Sequence, residues 1–368
     1  MWNQLRTYYN ALKPQKSVYQ YMPLGYVPVT SSRTRLTIVS ATCLIFLFAI
    51  LTATLHPAEK ARQYGIFQST ESPAHDPIPS IVHYVQLKKQ ADSVLHFRFY
   101  HFLTMCAAVL YIKPTQIYIH TDFNDSDINI ASARGDKWTK AVINTFADKL
   151  IWNHVRAPTF AGQNQNEQIS AIQHKSDFIR WEGIEKRGGI YMDWDVIPLR
   201  PLTPILNAGF ATMARIVVRE QHAAFNSAWE SNLQSMTLIA ERLVPIPYEV
   251  LILDRNAFAP THWFRESTDP LFLPNDGDPS PVPEHINSTD PMELYENAVK
   301  NRRRRAEWEM NFSASYMLHA FSMGNYHKYV NAKLILSRTS NFGIATYDIV
   351  KHMVDMGYVS ADDDSDEA

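Results

Sequence analysis

Only two cysteines, Cys43 and Cys106, occur in 368 residues. Cys43 lies in an apolar run and Cys106 in a helical pattern, so an intramolecular disulfide is not expected. A CxxC-type metal site is excluded outright. Net charge is equally scarce: 35 Lys and Arg against 37 Asp and Glu leave −2 at neutral pH. That balance gives no reason to expect a nucleic-acid partner. No internal repeat is visible. Acidic residues are wholly missing from the first 35 positions, whereas Arg6, Lys13, Lys16, Arg33 and Arg35 are present.

That one-sided charge precedes a long apolar run. Leu36 to Leu55 reads LTIVSATCLIFLFAILTATL, 20 residues without a charge. At about 1.5 Å per residue it matches a hydrocarbon core of about 30 Å. The basic flank keeps the short N-terminal tail cytosolic and sends the bulk of the chain into the lumen. A cleaved signal peptide is the rival reading, but the apolar run and its polar lead are both too long, and no clear A-x-A site follows. The expected organisation is a cytosolic tail over 1–35, an anchor over 36–55 and a stem over 56–79. A catalytic domain over 80–355 and an acidic, disordered tail over 356–368 complete it. Three N-x-S/T sequons follow the anchor, at Asn124, Asn287 and Asn311, as a lumenal domain allows.

Ordered structure is expected from Ile81-Val82-His83-Tyr84-Val85, a β-rich run. Leu95 to Tyr111 carries an apolar helical pattern, and Gln116 to His120 reads as a buried strand. Strand, helix and strand in that order imply a β-α-β unit and a mostly parallel sheet. Lys137 to Asp148 and Asn166 to Lys186 read as helices. The second stops at Gly188-Gly189, where glycine supplies the positive φ of a helix C-terminal cap. Ile190-Tyr191-Met192 follows as a short strand, and Pro198, Pro201 and Pro204 then break the chain into a loop. Glu293 to Glu309 reads as a helix whose Arg302 to Arg305 run reads as a solvated face, with phosphate or acceptor contact as the lesser alternative.

D-x-D by itself is a weak pattern, matched also at Asp125, Asp276 and the acidic C-terminus. Only Asp193-Trp194-Asp195 follows directly on an apolar strand, at the edge where open α/β sheets bind ligands. On a regular strand Tyr191, Asp193 and Asp195 project to one side, the two carboxylates about 7 Å apart. Such a pair forms half of an oxygen-rich site for Mg²⁺ or Mn²⁺, completed by phosphates and water. Asp177, Arg180, Trp181 and Ile184 fall at i, i+3, i+4 and i+7 of the preceding helix. A stripe charged at its start and apolar at its end suits a helix opening on a polar cleft. A surface Asp177–Arg180 pair is the plainer alternative.

The stretch from His174-Lys-Ser-Asp177-Phe-Ile-Arg180-Trp181 through Gly188-Gly189-Ile-Tyr191-Met-Asp193-Trp-Asp195-Val-Ile-Pro198 resembles glycosyltransferase family thirty-two. These are fungal sugar transferases with a DxD region, including initiating α-1,6-mannosyltransferases. The likeness is strong over about residues 165–210, fainter from Ile78 to Asp122 and at Ser315 to Phe321. It implies an α/β GT-A-like, Rossmann-type nucleotide-sugar-binding domain, here on a single type II transmembrane helix. It implies a retaining reaction with a nucleotide sugar, GDP-mannose favoured and a UDP-hexose possible, and a glycan or glycolipid acceptor in the Golgi. By match to the motif, Asp177, Arg180, Gly189, Tyr191 and Asp193 would hold the nucleotide sugar. Asp193, Asp195 and His319 would hold Mn²⁺ or Mg²⁺. Asn226-Ser227 falls where the family has a small polar donor element, and no catalytic nucleophile is identifiable. Two alternatives stay open: a non-catalytic sugar-binding member of a transferase complex, and a haloacid-dehalogenase-like phosphatase using Asp193.

Overall fold

The computed structural model describes residues 76–162, 167–210, 214–225 and 237–364. The expected tail and anchor, the stem through residue 75 and Asn226-Ser227 lie outside them. Among the described residues no helix is long and apolar enough to cross a membrane.

β1 (Ile81–Gln86) alternates its side chains between two faces. Val82 and Tyr84 join the main core, with Phe99, Phe102, Leu103 and Met105 of α1 (Phe99–Tyr111). Val85, on the other face, packs with Leu87 and Ile179. The helical pattern that began at Leu95 in the sequence starts as helix only at Phe99. Arg98 is extended, and the Phe97 N–H donates to the Thr139 hydroxyl at 2.9 Å instead of to a helical turn. β2 (Gln116–Thr121) then pairs parallel with β1 in the register Ile81↔Gln116, as a β-α-β unit requires.

Two helices, α2 (Asp125–Arg134) and α3 (Lys137–Asn144), lead to β3 (Leu150–His154). α3 ends four residues before its expected limit, and residues 145–149 form turns. A short antiparallel pair follows, β4 (Phe160–Ala161) with β5 (Glu167–Gln168). α4 (Ile172–Arg187) is therefore shorter than the Asn166–Lys186 reading, because Glu167 and Gln168 satisfy their backbone in that ladder. β6 (Ile190–Tyr191) adds to β1, giving an all-parallel sheet of order β3-β2-β1-β6. With α1 on one face and α4 on the other, the architecture is mixed α/β in three layers.

The proline-rich stretch is not wholly loop. β7 (Val196–Pro198) pairs antiparallel with β8 (Met317–His319), Pro198 taking the end of a three-residue strand, and Thr203–Leu206 forms one helical turn. The expected Glu293–Glu309 helix runs from Pro291 to Arg303, with Asp290 capping it. Arg302 to Arg305 are exposed, and Arg304 pairs with Glu284 at 2.7 Å. A long C-terminal helix, Asn341–Asp355, packs on α1. Of the segment expected as a disordered tail, 356–364 instead packs on the domain. Tyr358 stacks edge-on against Phe102, Val359 is buried, and Asp363 pairs with Lys137. Cys106 is buried and free.

A buried polar chain ties α4 to the sheet. The Gly188 carbonyl accepts from His83 Nε2 at 2.8 Å. That fixes the tautomer, so His83 Nδ1 accepts from His120 Nε2 at 2.9 Å. His120 Nδ1 then accepts from the Asn153 amide at 2.7 Å, and Asn153 Oδ1 accepts from Arg187 at 3.1 Å. Burial lowers His83 to a pKa of about 4 and His120 to about 3, with Arg187 adding to both. Gly183 allows the helix this approach: a Cβ there would stand 2.7 Å from His120 Nε2. The chain thereby clamps the turn from which the Asp193-Trp194-Asp195 segment departs.

Candidate metal and donor site

Gly188 and Gly189 turn the chain from α4 into β6 at φ of +67° and +94°. Gly189 lies against β1, where a Cβ would sit 2.5 Å from the Ile81 carbonyl. Its role is therefore backbone shape, since it offers no side chain to a ligand.

β6 ends at Tyr191, and Asp193 to Val196 form a turn closed by Val196 N–H to Asp193 carbonyl at 3.0 Å. The regular-strand expectation for the two carboxylates is thus corrected. The alternation still survives in packing: Met192 is buried, while Trp194 stacks on Tyr84 at 4.2 Å and donates to the Val85 carbonyl at 3.0 Å. That anchored indole forces both aspartates outward.

His319 reaches them through the β7–β8 ladder. Val196 is paired with His319, and Ala320 N–H donates to the Asp195 carbonyl at 2.7 Å. His319 Nε2 lies 3.4 Å from Asp195 Oδ1. One ligand atom each from Asp193, Asp195 and His319 fall within 4.8 Å of one another. The 7 Å expected for an extended pair has become a cluster, because the turn folds the carboxylates together. Two carboxylate oxygens and an imidazole nitrogen fit a divalent cation.

The helix stripe arrives beside this cluster. Arg180 pairs with Asp177 at 2.9 Å and with Asp193 at 3.4 Å, and lies over the Tyr191 ring at 4.4 Å. Tyr191 donates to the same Asp193 oxygen at 2.5 Å. The Asp177–Arg180 pair of the plainer alternative is present, but both side chains are half-buried and Arg180 reaches on to Asp193. Burial works against the Arg180 charge, but Tyr191, Asp193, Asp177 and Asp195 outweigh it and hold its pKa above the ordinary value. Burial pushes the Tyr191 hydroxyl far up; Arg180 opposes this and Asp193 reinforces it, so the phenol stays protonated as a donor. Arg180 Nε is buried without a partner among the described residues. The stripe's apolar end also holds, with Trp181 packing against Val217, Ile239 and Leu243.

Tyr100 was missed in the sequence. It starts the apolar helix α1 and looks like core, yet it feels the Asp195 charge. Its hydroxyl is raised chiefly by burial, with Arg98 opposing and Asp195 adding. Periodicity holds no signal for that neighbour, which the fold brings from 95 positions away.

Residues 108–211 match the family model described as "Glycosyltransferase sugar-binding region containing DXD motif". The match contains Asp177, Arg180, Gly189, Tyr191, Asp193 and Asp195, and stops short of His319. It supports a glycosyltransferase as the class of enzyme. Among solved structures, one titled "PaToxG Glycosyltransferase" is similar at 15% identity, over 48% of this chain and 73% of that one, with a TM-score of 0.28. No curated protein matches.

Proposed function

We propose that this protein is a retaining, metal-dependent glycosyltransferase of the family thirty-two type. It moves a hexose from a nucleotide sugar to a glycan or glycolipid hydroxyl. The observation that carries the reading is the cluster of Asp193, Asp195 and His319 beside a permanently charged Arg180. Arg180 pairs with Asp177 and Asp193, and Asp195 adds to the field that keeps it charged. A divalent cation held at this cluster would supply charge neutralisation of the departing diphosphate. Asp195 and His319 would be its principal ligands, because one Asp193 oxygen already accepts from Tyr191 and Arg180. Arg180, held charged beside Asp193, contributes a guanidinium donor for phosphate or sugar oxygen.

The transfer breaks the bond between the sugar's anomeric carbon and the diphosphate oxygen, whose electron pair leaves on the diphosphate. The acceptor oxygen bonds the same carbon and its proton passes to the released phosphate oxygen. GDP-mannose is the favoured donor by resemblance, with UDP-hexoses second. The apolar run of Leu36 to Leu55 and its basic flank support a type II Golgi anchor with a lumenal domain. Asn124, Asn287 and Asn311 are all exposed, as glycan attachment requires. The phosphatase alternative needs a later lysine and an acidic pair after another buried strand; among the described residues the side chains bonded to Asp193 are those of Arg180 and Tyr191.

Detergent-solubilised full-length protein is incubated with a panel of nucleotide sugars and Mn²⁺, and released nucleotide is scored. Release from one donor, abolished by chelation and by Asp195→Asn, is the expected result. Undiminished turnover in a correctly folded Asp195→Asn variant refutes the metal assignment.

A further inference from the structure

The segment that leads to His319 from outside the matched region builds an aromatic ledge against the site. Residues 257–261 lie along β8: Tyr316 N–H donates to the Ala257 carbonyl at 2.7 Å and His319 N–H to the Phe258 carbonyl at 3.0 Å. The Thr261 hydroxyl donates to the His319 carbonyl at 2.9 Å. The turn beyond is equally fixed, with His262 N–H on the Ser267 hydroxyl at 3.1 Å and Phe264 N–H on His262 Nδ1 at 3.1 Å. Trp263 leaves this rigid turn with 60% of its surface exposed, and Phe258 with 36%. Trp263 meets Phe321 edge to face at 5.9 Å, and Phe321 stacks on the His319 imidazole at 3.7 Å.

We infer that Trp263, with Phe321 behind it, is the platform on which a pyranose ring of the acceptor glycan stacks. The inference rests on the transferase reading and deepens it. A lone exposed indole is ordinary, but this one is two ring contacts from a candidate metal ligand and is held by a hydrogen-bonded turn. An acceptor hydroxyl must come within about 3.5 Å of the donor's reacting carbon, so its sugar ring lies beside the group that holds the diphosphate. A pyranose offers one face of C–H bonds and a rim of hydroxyls. The C–H face suits the negative face of an aromatic ring, while the hydroxyls stay in water or reach polar neighbours. A donor phosphate, by contrast, is matched by Arg180 and the metal ligands and has no use for an exposed indole.

The test uses detergent-solubilised full-length protein with methyl α-mannopyranoside, methyl β-galactopyranoside and their disaccharide glycosides as probes. Saturation-transfer NMR reads glycoside binding without turnover, and nucleotide release with the donor from the screen reads the acceptor KM. Trp263→Ala loses the saturation transfer and raises the acceptor KM by about tenfold with kcat at saturating glycoside little changed. Trp263→Phe restores most of both. Glycoside binding and acceptor KM equal to wild type in Trp263→Ala overturn the assignment, as does loss of binding to lipid vesicles in place of loss of glycoside binding. Absence of nucleotide release by the wild type refutes the transferase reading alone, because the NMR arm still decides whether Trp263 holds sugar.

Discussion

Acidification should unfold this domain through the clasp between α4 and the sheet. His83 and His120 are fully buried and neutral, with pKa values lowered by burial to about 4 and about 3. In the unfolded chain each returns to about 6.5. Between those values the unfolded state binds more protons, so the stabilisation is complete above about pH 6.5 and is lost as pH falls towards 4. From pH 7 to pH 5 the linkage gives about 1.9 kcal/mol for each imidazole and about 4 kcal/mol for the pair. That is a large part of an ordinary domain stability of about 5–15 kcal/mol. The hydrogen-bond polarity explains why neither ring takes a proton readily. A proton on His83 Nδ1 would face the donor Nε2 of His120, and one on His120 Nδ1 would face the Asn153 amide. Urea midpoints at pH 7, 6 and 5 test this in wild type and in His83→Gln/His120→Gln. The double variant starts less stable at pH 7 but loses about 4 kcal/mol less on acidification. His101, buried with a pKa of about 3, keeps its own share of the slope in both proteins. An identical pH slope in the two proteins would refute the clasp as the acid-sensitive element.

Gly189→Ala should cost about 2–4 kcal/mol, since a φ of +94° is strained for alanine and the new Cβ meets the Ile81 carbonyl; a urea midpoint equal to wild type contradicts it. Arg180→Gln should move two affinities in opposite directions. Removing a cation next to Asp193 tightens Mn²⁺ binding, read by calorimetry, while donor KM rises by about tenfold or more from the lost charge-assisted contact. Parallel changes in both would show that Arg180 only supports the fold.

The parallel sheet was open to sequence reading because β1 and β2 are buried runs of β-branched and aromatic residues, and buried parallel strands need little else. The DxD motif was legible for a similar reason: an apolar strand ends just where the carboxylates begin. What the motif did inside the fold was harder to see. A strand with period two places Asp193 and Asp195 apart, and nothing local announces that the chain turns at Asp193 to begin a second, antiparallel ladder. β7 and β8 are three residues each, and one ends in proline, so neither carries a periodic signal. Their pairing nevertheless sets the His319 position. Likewise Glu167 and Gln168 sit in a polar stretch that suits a helix, and only their partners Phe160 and Ala161 make them a strand.

The same logic explains how a segment with so little regular structure can hold two carboxylates in place. A turn is soft unless each of its ends is fixed from a different direction. Here Gly188 is held by His83 through α4's side of the sheet, and Trp194 is held by Tyr84 and the Val85 carbonyl on α1's side. Asp195 is fixed at its own carbonyl by Ala320, and Asp193 at its carboxylate by Tyr191 and Arg180. The two aspartates are therefore positioned by different elements. Asp193 belongs with α4 and β6, and Asp195 with β7 and β8. Motion between those pairs changes the carboxylate spacing directly, and a cation bridging them would join the parallel sheet to the β7–β8 ladder that carries His319.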